Sequence, residues 1–203
     1  GRFRIVYQHA EEVAPSGASE MVAFGAVEGV DAIVALHCDP ELEVGKIGLR
    51  AGPFTASFDR FEFTILGEGG HGARPHHCID PIYVATHLAN ALYGATSRRF
   101  DSREPIVLSI GELQAGHAPN VIPDTARITG TVRTVSDNRR VRTRQMLSQI
   151  ADAVCVMNGA TYELDLYEGA PAIINHPKVV ELFEQSGREI LGEGAIHYIP
   201  KPS

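Results

Sequence analysis

The chain has no tryptophan, three cysteines among 203 residues and only 7% aromatic residues. Cys38, Cys78 and Cys155 are an odd number, widely spaced, with no C-x-x-C pair. That excludes a disulfide framework or a zinc knuckle and makes a reducing, cytoplasmic setting the expectation. No apolar stretch reaches the roughly 18 residues of a membrane span, and no charged-then-apolar signal pattern opens the chain. Nor is there a block of about five or more like charges. With a formal net charge of -7, nucleic acid and anionic membrane surfaces are poor partners, and small-molecule chemistry is favoured. What is present is ordinary globular usage, 44% hydrophobic and 21% charged residues, enough to bury a core. The opening Gly1-Arg2-Phe3 without an initiator methionine, and the ending Lys201-Pro202-Ser203, read as an internal piece of a longer protein.

The pattern along the chain divides it into two architectures. Phe3 to Gln8 reads as a strand, Ser16 as the cap of a helix to about Ala26, and Val30 to Cys38 as a second strand, near-continuously apolar as in a sheet buried on both faces. This is a parallel β-α-β unit, part of an α/β domain over residues 1–52. Proline and glycine then thicken from Pro40 to Pro53 and mark a connection. Over residues 53–168 the expected order is β-α-β-β-α-β, a split βαβ with an antiparallel sheet and both helices on one face. Its strands are Ser57 to Gly67, Ile106 to Leu113, Ala126 to Thr134 and Thr161 to Tyr167. Asp80-Pro81 caps its first helix, and Asn158-Gly159 ends its second. Residues 169–203, with a helix opened by Asn175 and Pro177, are expected to return to the first domain.

Three clusters could carry chemistry. Glu11 and Glu12 follow the first expected strand and His37 closes the second. Parallel neighbours open their carboxyl ends onto one crevice, which would place two carboxylates and an imidazole together. Adjacent glutamates can divide labour, one ligating a metal and the other facing water; the plainer reading is two solvated acids in a loop. His71 lies in Gly69-Gly70-His71-Gly72, where glycines would let the backbone approach a ligand and leave the ring to donate to a developing oxyanion, or where a flexible hairpin carries an incidental histidine. His76 and His77 read as surface or capping residues. Asn120, flanked by Pro119 and Pro123, could orient a substrate group or bond its own backbone. Arg133 ends the following strand; it could reach the same end of the sheet and pair with a carboxylate, or be solvated.

Taken in order, Gln8-His9-Ala10-Glu11-Glu12, Leu36-His37, Gly69-Gly70-His71-Gly72-Ala73-Arg74-Pro75-His76, Asp80-Pro81, Asn120-Val121-Ile122-Pro123 and Gly130-Thr131-Val132-Arg133 resemble the M20 metallopeptidase family. The nearest branch is the amidohydrolases of N-acyl amino acids, such as hippurate and auxin-conjugate hydrolases. The resemblance implies a metal-binding α/β domain with an inserted lid domain. It also implies amide hydrolysis at a pair of divalent metal ions (zinc, manganese, cobalt or nickel), releasing a carboxylate and a free amino acid. Glu11 would be the general base, Glu12 and His37 metal ligands, and His71 an oxyanion donor reaching across a lid-to-lid homodimer. Asn120 and Arg133 would hold the substrate. The sequence departs from the pattern at His9, where the family usually has proline. An upstream Cys-x-His and a downstream histidine ligand are absent, so this piece alone is expected to bind metal weakly and to be inert. A dipeptidase or carboxypeptidase of the same family, and a non-catalytic dimerisation module, are the alternatives.

Overall fold

The computed structural model describes residues 2–12, 16–101, 103 and 105–202. In chain order the elements are α1 (Ala18–Ala23), β1 (Ile47–Leu49), β2 (Gly52–Thr55), β3 (Asp59–Leu66), β4 (Gly70–His71), α2 (Pro81–Arg99), β5 (Ile106–Ala115) and β6 (Val121–Ile122). There follow β7 (Thr125–Thr134), α3 (Asp137–Met157), β8 (Thr161–Glu168), β9 (Ile173–Asn175), α4 (Pro177–Leu191) and β10 (Ile196–Tyr198). The chain is α/β with mixed sheets and divides into two units, the smaller unit 1 of Gly1–Ala51 with Asn175–Pro200 and the larger unit 2, chiefly Gly52–Ile174.

The larger unit is built on alternation. Along β3, Asp59, Phe61, Phe63 and Ile65 face inward and are buried, while Arg60 is exposed. That period of two lets one face of a sheet pack and the other meet water. The sheet runs β5-β7-β3-β8, antiparallel throughout. Against its inner face lie α2, through Val84, Ala85, Leu88 and Leu92, and α3, through Met146, Leu147, Ala151 and Val154. Phe63 sits fully buried between the rings of Phe61 and Tyr162, at centroid distances of 5.7 and 5.8 Å. The outer face is polar: Arg127 pairs with Glu62 at 3.4 Å and with Glu112 at 3.3 Å. Asp80 caps α2 by accepting the amides of Ile82 and Tyr83, and Pro81 occupies the first turn, where a missing N–H costs nothing.

Asp59, which breaks the apolar pattern of β3, is the hub of a buried ion cluster. Arg140 donates to both its oxygens at 2.8 and 2.6 Å, Arg144 at 3.1 Å and the Gly169 amide at 3.2 Å. Burial alone would raise the carboxyl pKa. The Arg140 hydrogen bonds, the Gly169 amide and the two guanidinium charges outweigh that and hold it below the usual 3.8.

In the smaller unit the expected β-α-β is not formed. Residues 3–8 and 30–38 are not strands, and α1 is six residues long. A strand exists only through hydrogen bonds to a neighbour, and neither segment has a paired neighbour among the described residues. Their apolar side chains face solvent instead: Phe3 is 99% and Leu36 86% exposed. The parallel pairing of this unit is made elsewhere, by β1 and β10, with Gly48 opposite His197.

Candidate active site

Glu11, Glu12 and His37 are all exposed. The turn ahead of the glutamates is sharp, because Ala10 takes the left-handed region at φ 51°, a conformation non-glycine residues seldom adopt. His9 faces Glu20, its Nε2 lying 3.2 Å from Oε2, and its carbonyl accepts the Gly17 amide at 3.1 Å. A Cβ at Gly17 would stand 2.5 Å from the His9 ring, which is why that position stays bare.

A carboxylate and an imidazole are the right donor types for a divalent metal, but number matters as much as type. A catalytic zinc typically takes three protein ligands. Among the described residues no three His, Cys, Asp or Glu side chains gather to hold one. Glu12 and His37 therefore do not by themselves make a metal site.

The second cluster is assembled by a short ladder. Beyond the ends of β3 and β7, where Leu66 faces Thr125, the two chains continue side by side as β4 and β6, with His71 opposite Val121. The Gly72 amide donates to the Asn120 carbonyl at 2.9 Å, and the Gly69 amide to the Asp124 carboxylate at 2.9 Å. His71 and Asn120 are thus neighbours on one stiff edge, both exposed. The glycines serve this approach of chain to chain: a Cβ at Gly69 would meet the Ile122 carbonyl at 2.6 Å, and one at Gly72 the Asn120 carbonyl at 3.0 Å. Sequence reasoning assigned them to ligand approach and missed Asp124; the Asp after Pro123 was the available signal. His71 is held further by its own turn. Its Nδ1 accepts the Ala73 amide at 3.1 Å and its carbonyl accepts the Arg74 amide at 2.8 Å. The rings of His76 and His77 lie 4.2 Å apart, against each other. Beside β6 an open groove of about 570 Å³ is lined by Gln114, His117, Val121, Ile122 and Arg127, among others.

Arg133 is not at this end of the sheet. β7 begins beside the His71–Asn120 edge and carries Arg133 at its far end, opposite Val107. Ten residues at about 3.3 Å each separate the ends of the strand by roughly 30 Å. There the guanidinium lies 5.1 Å from the centroid of the Phe58 ring. The expectation that Arg133 and Asn120 share one end fails because a fully extended ten-residue strand separates them.

The model of one family, Peptidase family M20/M25/M40, matches residues 1–203. The chain belongs to that family. It is 42% identical over 176 residues to an N-acyl-L-amino acid amidohydrolase of Geobacillus stearothermophilus, a match covering 87% of this chain and 48% of the relative. It is 36% identical over 183 residues to thermostable carboxypeptidase 2 of Saccharolobus solfataricus, covering 89% and 47%. A crystal structure of a dinuclear metal-binding M20 peptidase from Bacillus subtilis superposes with a TM-score of 0.77 at 31% identity, covering 97% of this chain and 49% of the other. The M20 chain thus spans about half the length of these relatives. No helix among its described residues is long and apolar enough to cross a membrane.

Proposed function

We propose that the whole M20 protein hydrolyses the amide bond of N-acyl amino acids, releasing a carboxylate and a free amino acid. One observation carries this: the β4–β6 ladder sets His71 and Asn120, two polar groups free to meet a ligand, side by side on a rigid edge. The likeness to an N-acyl-L-amino acid amidohydrolase supports the substrate class. In this reading residues 53–168 are the lid, and residues 1–52 with 169–203 belong to the catalytic domain.

Glu11 takes the proton of the attacking water and passes it to the departing nitrogen. His71 donates a hydrogen bond to the oxygen on which charge develops, and Asn120 orients the substrate. Glu12 and His37 would be two of the ligands of a divalent metal pair, whose chemistry when bound would be to polarise the carbonyl and activate water. The span of β7 bears on Arg133: it can hold the carboxylate of a substrate that Asn120 also touches only if the two residues come from different chains. That supports a lid-to-lid homodimer in which His71 and Asn120 serve the partner's site.

The likeness to a carboxypeptidase supports a second reading, in which the acyl group is itself an amino acid or peptide. Kinetics on a panel of N-acetyl and N-benzoyl amino acids beside dipeptides separates the two. In the whole protein Glu11→Ala is expected to lower kcat by on the order of 10²–10⁴ while bound metal is unchanged. Full turnover in that variant would remove Glu11 as the base.

A further inference from the structure

The turn that carries His71 also determines which of its nitrogens holds the proton. The Ala73 amide points at Nδ1 across 3.1 Å, and a ring nitrogen that accepts an N–H has no hydrogen of its own. The neutral ring must then carry its proton on Nε2. The amide cannot easily turn away. Arg74 N–H closes the same turn onto the His71 carbonyl at 2.8 Å, and Gly72 N–H ties it to Asn120 at 2.9 Å. Both bonds lie on either side of Ala73 in sequence and hold its peptide plane.

We propose that the Ala73 amide is a positioning group that locks His71 as an Nε2–H donor, so that the ring offers a hydrogen bond and no lone pair toward whatever it meets. This excludes His71 as a metal ligand through Nε2, which would need that nitrogen bare and the proton on Nδ1. It also excludes His71 as a general base in its resting state. The partner fitted to such a group is a carbonyl or anionic oxygen. The inference rests on the hydrolytic reading only for the identity of that oxygen.

The test is ring ¹⁵N NMR on the 203-residue chain, with the His71 signals assigned by their loss in His71→Gln. The expected result is a bare Nδ1 and a protonated Nε2, unmoved by added Zn²⁺ or Mn²⁺. Ala73→Pro, which deletes the N–H, should relax the ring toward the tautomer mixture of the exposed His76, and Ala73→Gly, which keeps it, should not. A proton on Nδ1, a metal-induced shift of the His71 nitrogens, or a wild-type mixture equal to that of His76 would overturn the lock. The wild-type spectrum decides this even if Ala73→Pro does not fold. In the whole protein Ala73→Pro should lower kcat about 10-fold or more with metal content unchanged. An Nε2–H ring together with undiminished kcat would leave the lock standing and remove instead the oxyanion role assigned under the hydrolytic reading.

Discussion

The two units of this M20 chain use similar apolar sequence to opposite ends. In unit 2, Phe61, Phe63 and Ile65 on β3 are at most 1% exposed, beneath two helices that bury Leu88, Leu92 and Leu147 just as completely. In unit 1, Phe3, Ile5, Tyr7 and Leu36 are between 75% and 99% exposed, and its buried hydrophobic residues are Leu49 and Ala195 among those described. The difference lies in partners rather than composition. Unit 2 pairs four strands in its central sheet, whereas the apolar runs near Glu11 and His37 have no paired strand among the described residues. A core is a property of assembled faces, not of apolar residues as such.

Phe63→Ala should break unit 2 hardest, because a fully buried ring flanked by two aromatics leaves a large cavity. A loss of about 3–5 kcal/mol in urea-monitored stability is expected. Asp59→Ala comes next, at about 3 kcal/mol, since it leaves Arg140 and Arg144 without their shared carboxylate in a largely buried place. Its pH dependence has a definite sign. Asp59 has a depressed pKa in the fold, so its contribution is full above the unfolded value of about 3.9 and is lost as pH falls through the lower folded value. Urea midpoints of the wild type should therefore drop on acidification below about pH 4, and Asp59→Asn should flatten that part of the profile. Smallest of all is Leu36→Ala in unit 1, at 86% exposure. A change within about 0.5 kcal/mol is expected there, and a loss near that of Phe63→Ala would show that unit 1 has a core of its own.

The same contrast explains what could be read from sequence. The start of α2 was legible because Asp80-Pro81 is a local signal, and the cap geometry follows from it. So was the end of α3, where Gly159 takes φ 70° just past Asn158. The start of α4 was nearly so: Pro177 opens it, but the cap is His176, whose Nδ1 accepts the Lys178 amide, rather than Asn175. Pairings between distant residues were not legible. β1 with β10 joins positions with nothing periodic between them, and β4 with β6 is a ladder only two residues long. His71 and Asn120 each stood out, yet their adjacency and the fixed tautomer come from backbone amides at Gly72 and Ala73, which no side-chain pattern encodes. Arg133 was misplaced because its nearness in sequence to Asn120 hides a strand of ten residues between them. Asp59 is the center of an ion cluster whose partners, Arg140 and Arg144, lie 81 and 85 residues away in sequence, beyond any local pattern.

Amide hydrogen exchange on the whole 203-residue chain tests the central contrast most directly. The account predicts strong protection of β3, β7, α2 and α3, with residues 3–8 and 30–38 exchanging at close to free-peptide rates. Protection of those two segments comparable to that of β3 would contradict it.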